Sequence, residues 1–403
     1  MPMVEMELTH KERMLRTLRG EEADVLPAVP GYLCLFLADF ERAYYVEQYR
    51  RRLRGQVRYG IDHDEDTRFR ARALYQSYGI LKERPDWVEV HRGATRAWAE
   101  RTEIVVEERR LYYKDLETGM RAPMETSPMP RGDGLLKCHS AAVADLWDIS
   151  ADLKGPQSVD ERVPILTADE LLASGAYDLP ARVVNDYGHE WFVSTILDTP
   201  FSDAYSLLGF RGLMVSQLER PDLLHYVLRR QLKQTQEVMD AWSAIGADGV
   251  YVQEVFTGAD LISPGSYDEF VFAYNQPYFE HMSALGLLPV HYVCGDMIPR
   301  LDRIAELDIA AVALEESKKD FQIEIDEVVD RVRGRMTVFG NIDAVSFGLN
   351  CPLEKMAEEV QRQVRAGRRA KGFVVSTGSP FPLDTNPRLV DRLIETAHTI
   401  SAS

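Results

Sequence analysis

The sequence predicts an α/β fold, a closed (β/α)8 TIM barrel with insertions in its N-terminal half. Three observations predict it. From about residue 180 strand-like and helix-like segments alternate, with five strand–helix units in about 150 residues. The strands are apolar on both faces, as in Ile309-Ala-Ala-Val-Ala-Leu314, which suits a parallel sheet covered by helices. No Gly-x-Gly-x-x-Gly or Gly-x-x-x-x-Gly-Lys turn occurs, and such a turn usually announces the open doubly wound sheet that would also fit the count. All 403 residues are read as one barrel domain, with 40–180 carrying insertions that form a lid, a homodimer interface or both.

Taken in order, Thr9-His-Lys-Glu12 is a capping box that opens a helix to about Leu18, ended by Gly20. A helix from Phe36 to Arg54 and strands around Glu103 to Lys114 follow, in a stretch from 40 to 120 whose periodicity is weak. His63-Asp-Glu-Asp66 reads as a solvated acidic loop, and Ala122 to Arg131, with three prolines, as a loop. Arg182-Val-Val-Asn-Asp186 reads as a short strand, and Asp222 to Ala244 as a long helix with Leu223, Leu224, Val227, Leu228 and Leu232 on one face. The strands then expected are 249–254, 287–293, 309–314, 337–341 and 372–377. The helices between them are 266–284, 298–306, 323–332 and 353–365, with 387–400 closing the chain.

Composition narrows the function classes. The net charge of −17 repels phosphate backbones and anionic lipid, so neither nucleic acid nor membrane is an expected partner. No apolar run reaches about 18 residues, and the acidic N-terminus lacks the order of a signal peptide. Four cysteines without regular spacing, Cys34, Cys138, Cys294 and Cys351, fit a reducing cytoplasm. Cys138-His139 falls in a loop without visible support, and His189-Glu190 lacks the second histidine of a zinc-protease helix.

In parallel α/β folds the chemistry sits at the carboxyl ends of the strands. Those ends carry Gln253-Glu254, His291-x-x-Cys294, Glu315-Glu316, Asn341-x-Asp343 and Ser376-Thr-Gly-Ser379. An imidazole and a thiol leaving a buried strand, with Gly295 to turn the chain, suit a transition metal. On an ideal strand His291 and Cys294 face opposite ways, so both reach one ion only if Cys294 already lies in the turn. Glu254 is the third ligand by position, and Glu316, Ser379 or water the fourth. The competing reading makes His291 and Cys294 ordinary strand-end residues.

At these residues the chain resembles the uroporphyrinogen decarboxylase superfamily, which includes corrinoid and coenzyme M methyltransferases. The likeness runs through Thr9 to Gly20, Asp24-Val-Leu-Pro27, Pro200 to Gly209, Glu219-Arg-Pro-Asp222 and Gly246-Ala-Asp-Gly249. It is densest in Ile262-Ser-Pro264 with Tyr267 and Phe270, His291 to Gly295, Phe339 to Asp343 and Gly372 to Ser379. The resemblance implies a (β/α)8 barrel. The Arg-Gln-Ala-Gly-Arg loop of true uroporphyrinogen decarboxylases has no match here, which points to the methyltransferase branch. There the resemblance implies zinc held by a His-x-Cys pair and a later Cys. This chain has the wider His291-x-x-Cys294, with Gly378-Ser379 at the later position.

The expectation is a metal-dependent methyltransferase with zinc on Glu254, His291 and Cys294. It would move methyl between a small methylated compound and a thiol or a corrinoid, the latter on a partner protein. Asn341, Asp343 and Ser379 would orient substrate between walls of Tyr251 and Tyr292. Two alternatives stand beside it. One is a decarboxylase or lyase without metal, in which His291 and Asp343 move protons and N-terminal arginines hold carboxylates. The other is a non-catalytic barrel that binds a corrinoid or another ligand.

Overall fold

A computed structural model describes residues 7–135, 153–332, 334–349 and 351–401; Cys138-His139 lies outside them. Seven parallel strands form one sheet in the order Phe373–Val374, Thr337–Phe339, Ala311–Leu314, Leu288–Val293, Gly249–Glu254, Phe192–Asp198 and Trp87–Glu89. Residues 27–29 join its two ends. Val29 N–H donates to Val375 O, Val375 N–H to Pro27 O and Asp86 N–H to Ala28 O, so the sheet closes into a barrel.

Side-chain alternation divides the core in two. Trp87, Phe192, Tyr251, Val290, Tyr292, Ala313, Phe339 and Val374 fill the interior, which is therefore packed rather than hollow. Val88, Val193, Val252, Val293, Val312, Leu314 and Val338 face outward, beneath the helices. Each such side chain stabilises by about 1.5–3 kcal/mol when fully buried. Among the described residues no helix is long and apolar enough to cross a membrane.

Local signals account for most elements. Glu12 N–H donates to Thr9 Oγ1 and Thr9 N–H to Glu12 Oε2, the reciprocal box that starts His10–Arg19, and Gly20 ends it at φ 74°. Pro221 opens Pro221–Ala244, whose Leu223, Leu224, Val227 and Leu228 are buried as the spacing predicts. The helix expected over 266–284 begins instead with a π-helical stretch, Tyr267–Phe272, before Ala273–Ala284.

Three readings are corrected. Residues 182–186 lie in a helix, Asp178–Tyr187, because Leu179 and Val183 recur four apart on its buried face. The strand is Phe192–Asp198, one element later. His63-Asp-Glu-Asp66 is the first turn of the helix His63–Tyr78, where Asp62 caps the end and acids favour the dipole. Asp66 turns inward and accepts from the hydroxyls of Tyr45 and Tyr49. The proline-rich stretch carries short strands, Arg121–Pro123 and Pro130–Arg131. Arg121–Pro123 is an edge of the sheet formed with Arg58–Gly60, Thr102–Glu107 and Arg110–Asp115, where proline costs no ladder bond.

The bottom of the barrel is clasped at Asp86. This fully buried carboxylate receives Arg13 at 2.6 Å, the Ala28 N–H at 2.7 Å, His10 at 3.0 Å and His398 at 2.8 Å. It thereby ties the first and last helices to the start of the strand Trp87–Glu89.

Candidate active site

The strand registers decide which predicted residues meet. Tyr251 pairs with Val290, Val252 with His291, Gln253 with Tyr292 and Glu254 with Val293. Tyr251, Val290 and Tyr292 belong to the interior and Val252 and Val293 to the outer layer, so His291 and Glu254 stand behind the sheet. There the His291 ring lies 4.8 Å from Phe279, on the covering helix. His291 Nε2 is 3.1 Å from Glu254 Oε2, and both side chains are fully buried. Asn275 Nδ2 donates to the same oxygen at 2.5 Å and Thr257 Oγ1 to the other at 2.8 Å. Burial pushes the Glu254 carboxyl up, but His291, Thr257 and Asn275 outweigh it and hold the group below its ordinary value. A carboxylate so fully engaged is a brace between strand and helix.

Cys294 lies on the other side. Two residues beyond Tyr292, it returns to the inner face, packs against the interior cluster and is partly exposed. Gly295, at φ 89°, then turns the chain, and its N–H donates to Glu315 Oε2 at 3.0 Å. Burial and Glu315 push the thiol up to about 12, Tyr292 pulling partly the other way. The expected turn at Gly295 exists, but Cys294 precedes it and keeps the strand's alternation.

Tyrosines floor this mouth. Tyr32 meets Tyr251 and Tyr292 edge-on, each at 5.3 Å, and its hydroxyl donates to Gln253 Oε1. The Tyr292 hydroxyl donates to Gly378 O at 2.6 Å. Ser379 Oγ donates to Glu316 Oε1, which also pairs with Lys318. Tyr251, Tyr292 and Ser379 therefore lie at the mouth. Asn341 instead braces backbone, donating to Glu315 O and Ile323 O. Asp343 caps the helix Ala344–Gly348 through Val345 N–H, Ser346 N–H and Ser346 Oγ.

One residue at the mouth escaped the sequence reading. Trp87 points inward and Val88 outward, so Glu89 returns to the inner face at the strand's carboxyl end. It is 1% exposed, and among the described residues neither carboxylate oxygen has a well-aligned hydrogen-bond partner. Burial pushes it up to about 7, against a smaller opposing pull from the nearby Cys34 thiol and N–H. An acid ending Trp87-Val-Glu89-Val was a usable signal, but it lay where periodicity was weak. Asp198, in register with Gln253, adds another acid to the inner rim.

The implied zinc needs three protein ligands at one point. Glu254 and His291 are engaged with each other behind the strand, Cys294 faces the interior, and Gly378-Ser379 supplies no thiolate. These residues do not fit that group. Among the described residues, the His, Cys, Asp and Glu side chains close enough to share an ion are His10, Asp86 and His398, in the bottom clasp.

Comparison with known proteins agrees with this architecture. The family model for uroporphyrinogen decarboxylase (URO-D) matches residues 170–400. The uroporphyrinogen decarboxylase of Aromatoleum aromaticum is 29% identical over 200 residues, 47% of this chain and 51% of that protein. The one from Arthrobacter sp. is 28% identical over 145 residues, 36% of this chain and 39% of that protein. The chain thus spans about half or less of the length of these curated relatives. A methyltransferase from Methanosarcina mazei shares the fold with a TM-score of 0.63 and 18% identity, covering 97% of this chain and 98% of that one. With more than half its length matched by the family model and the barrel closed, the chain belongs to the uroporphyrinogen decarboxylase family.

Proposed function

We propose that this chain is a methyltransferase whose reacting centre is the inner mouth of the barrel, around Cys294 and Tyr292. The methyl group would pass between a small methylated compound and a thiol or a corrinoid carried by a partner protein. The observation that carries this reading is the makeup of the rim. Glu89, Asp198 and Glu315 join Cys294 on or beside the inner face, with Glu316 close by. A rim so rich in carboxylates opposes a polycarboxylate porphyrinogen and favours a neutral or cationic methylated compound. The fold likeness to the Methanosarcina mazei methyltransferase, over nearly the whole of both chains, supports the same branch.

The residues' parts follow from their positions. Tyr32, Tyr251 and Tyr292 form the apolar floor, and Gln253 and Ser379 supply hydrogen bonds that orient the methyl carrier. Cys294 contacts the bound group as a neutral thiol, since its proton is held to about 12. Glu254 and His291 keep two adjacent strands in register behind it.

The test supplies methylcobalamin and a small thiol such as 2-mercaptoethanol to the purified protein and follows loss of the methyl–cobalt absorbance. Protein-dependent transfer supports the reading. No transfer above the uncatalysed rate with any of several thiols and methylated amines counts against it.

One observation favours a second reading, decarboxylation. Arg131 is pushed below its ordinary value by burial and by Arg70, so two guanidinium groups share a confined space beside Cys34 and Glu41. Among the described residues the Arg70 Nε also lacks a partner. Thermal stabilisation by citrate that disappears in Arg131→Ala would favour this carboxylate-binding alternative.

A further inference from the structure

We infer that Glu89 is the acid–base group of this mouth, taking a proton from the methyl acceptor and returning it to the leaving group. The inference rests on the methyl-transfer reading above.

The two ends of the strand Trp87–Glu89 carry acids in opposite circumstances. Asp86 and Glu89 stand at its two ends and are almost equally buried, at 0% and 1% exposure. Asp86, on the face of the barrel that serves stability, is satisfied by a guanidinium, two imidazoles and a backbone N–H. Among the described residues Glu89, on the face where family chemistry occurs, has no well-aligned hydrogen bond to either oxygen and only the weaker approach of the Cys34 thiol and N–H. A buried acid kept for architecture would be paired, because an unpaired carboxylate costs free energy at every neutral pH. An unpaired one on the reactive face retains that cost for a chemical use.

Its surroundings suit proton transfer. Tyr32 and Tyr251 both sense the charges of Glu89 and Cys294, so the two groups flank the same tyrosine floor. The helix Leu33–Leu53 presents Cys34 and, farther off, Glu41; the helix His63–Tyr78 presents Tyr78, whose hydroxyl accepts the Glu89 N–H at 3.2 Å. The guanidinium groups of Arg70 and Arg131 act on Cys34, Glu41, each other and His91, which burial and both groups hold well below its ordinary value, rather than on Glu89. Among the described residues no cation acts to fix it ionised, and burial pushes the carboxyl up to about 7, where acid and base forms are both present.

The step balances. The acceptor thiol's S–H bond breaks and its proton moves to the Glu89 carboxylate as sulfur forms a bond to the methyl carbon. The bond from that carbon to the leaving heteroatom breaks, its electron pair stays on the heteroatom, and Glu89 returns the proton there. With methylcobalamin as donor the leaving group is cobalt(I), and the proton passes from Glu89 to water.

The test measures methyl transfer from methylcobalamin to 2-mercaptoethanol across about pH 5 to about pH 9 for the native chain, Glu89→Gln and Glu89→Asp. The native rate should turn over near neutrality. Glu89→Gln should lose roughly 10²–10⁴-fold at pH ~7 together with that inflection, and Glu89→Asp should regain part of both. An infrared titration of the native chain against Glu89→Gln should show one buried carboxylic C=O stretch disappearing near neutral pH. Unchanged rate and profile in Glu89→Gln would overturn the assignment while leaving methyl transfer intact. If the native chain transfers no methyl, the methyl-transfer reading fails. The infrared titration then decides Glu89 by itself, and a carboxylate ionised throughout overturns it.

Discussion

His291 and Cys294, three residues apart, face opposite sides of one strand. The imidazole packs behind the barrel on Glu254 and Phe279, and the thiol borders the interior beside Tyr292. Strand period explains the split: residues i and i+3 diverge, whereas i and i+2 agree. Tyr292 is therefore the side chain that shares a face with Cys294. The chemistry assigned to the mouth and the brace assigned to the outer layer both follow from this parity.

If Glu254 and His291 form a brace, His291→Ala should leave a buried carboxylate short of its imidazole partner. The expected loss is about 3–5 kcal/mol of unfolding free energy, read from urea denaturation. A variant of unchanged stability with abolished activity would instead make His291 a reacting residue.

Asp86 sets an acid limit. Burial would raise its carboxyl, but His10, His398 and Arg13 outweigh burial and hold it well below the usual carboxylate range. A lowered folded-state value means the native form binds fewer protons than the unfolded chain. The contribution is therefore complete above about pH 4 and fades as pH falls further. Melting temperature should drop below that pH in the native chain. Asp86→Asn should start lower at neutral pH and lose less on acidification; parallel curves would contradict the clasp.

Glu89 has the opposite sign. Its folded-state value of about 7 exceeds that of an exposed glutamate, so the native form binds more protons and stability declines as pH rises from about 4 to about 7. Glu89→Gln removes that cost and should be more stable than the native chain at pH ~8, by on the order of 3 kcal/mol. Equal unfolding free energies there would show that the carboxylate is stabilised by groups beyond those now seen around it.

How much was legible depends on where the information lies. Gly249–Glu254 and Leu288–Val293 could be read almost to the residue, because buried parallel strands are continuous apolar runs bounded by Gly and Asp. Arg182 to Asp186 misled because two adjacent valines look like a strand, while the four-residue spacing of Leu179 and Val183 places the segment on a helix. The short strand Trp87–Glu89 and the seam at residues 27–29 draw their form from neighbours distant in sequence. That is why Glu89 went unseen. Ser379 and Cys294, read from strand ends, lie at the mouth, and Tyr251 and Tyr292, read as apolar walls, lie on its floor. Glu254, His291, Asn341 and Asp343 do not reach it, because which face or backbone group a strand-end side chain meets is settled by register and packing.

The most direct measurement compares Cys294→Ser with the native chain in methyl transfer from methylcobalamin to 2-mercaptoethanol, with melting temperatures recorded alongside. An inner-face centre predicts a melting temperature close to native and a clearly lower kcat/KM. Native rate in Cys294→Ser, with transfer lost instead in a folded His291→Gln, would place the chemistry behind the sheet and contradict the account.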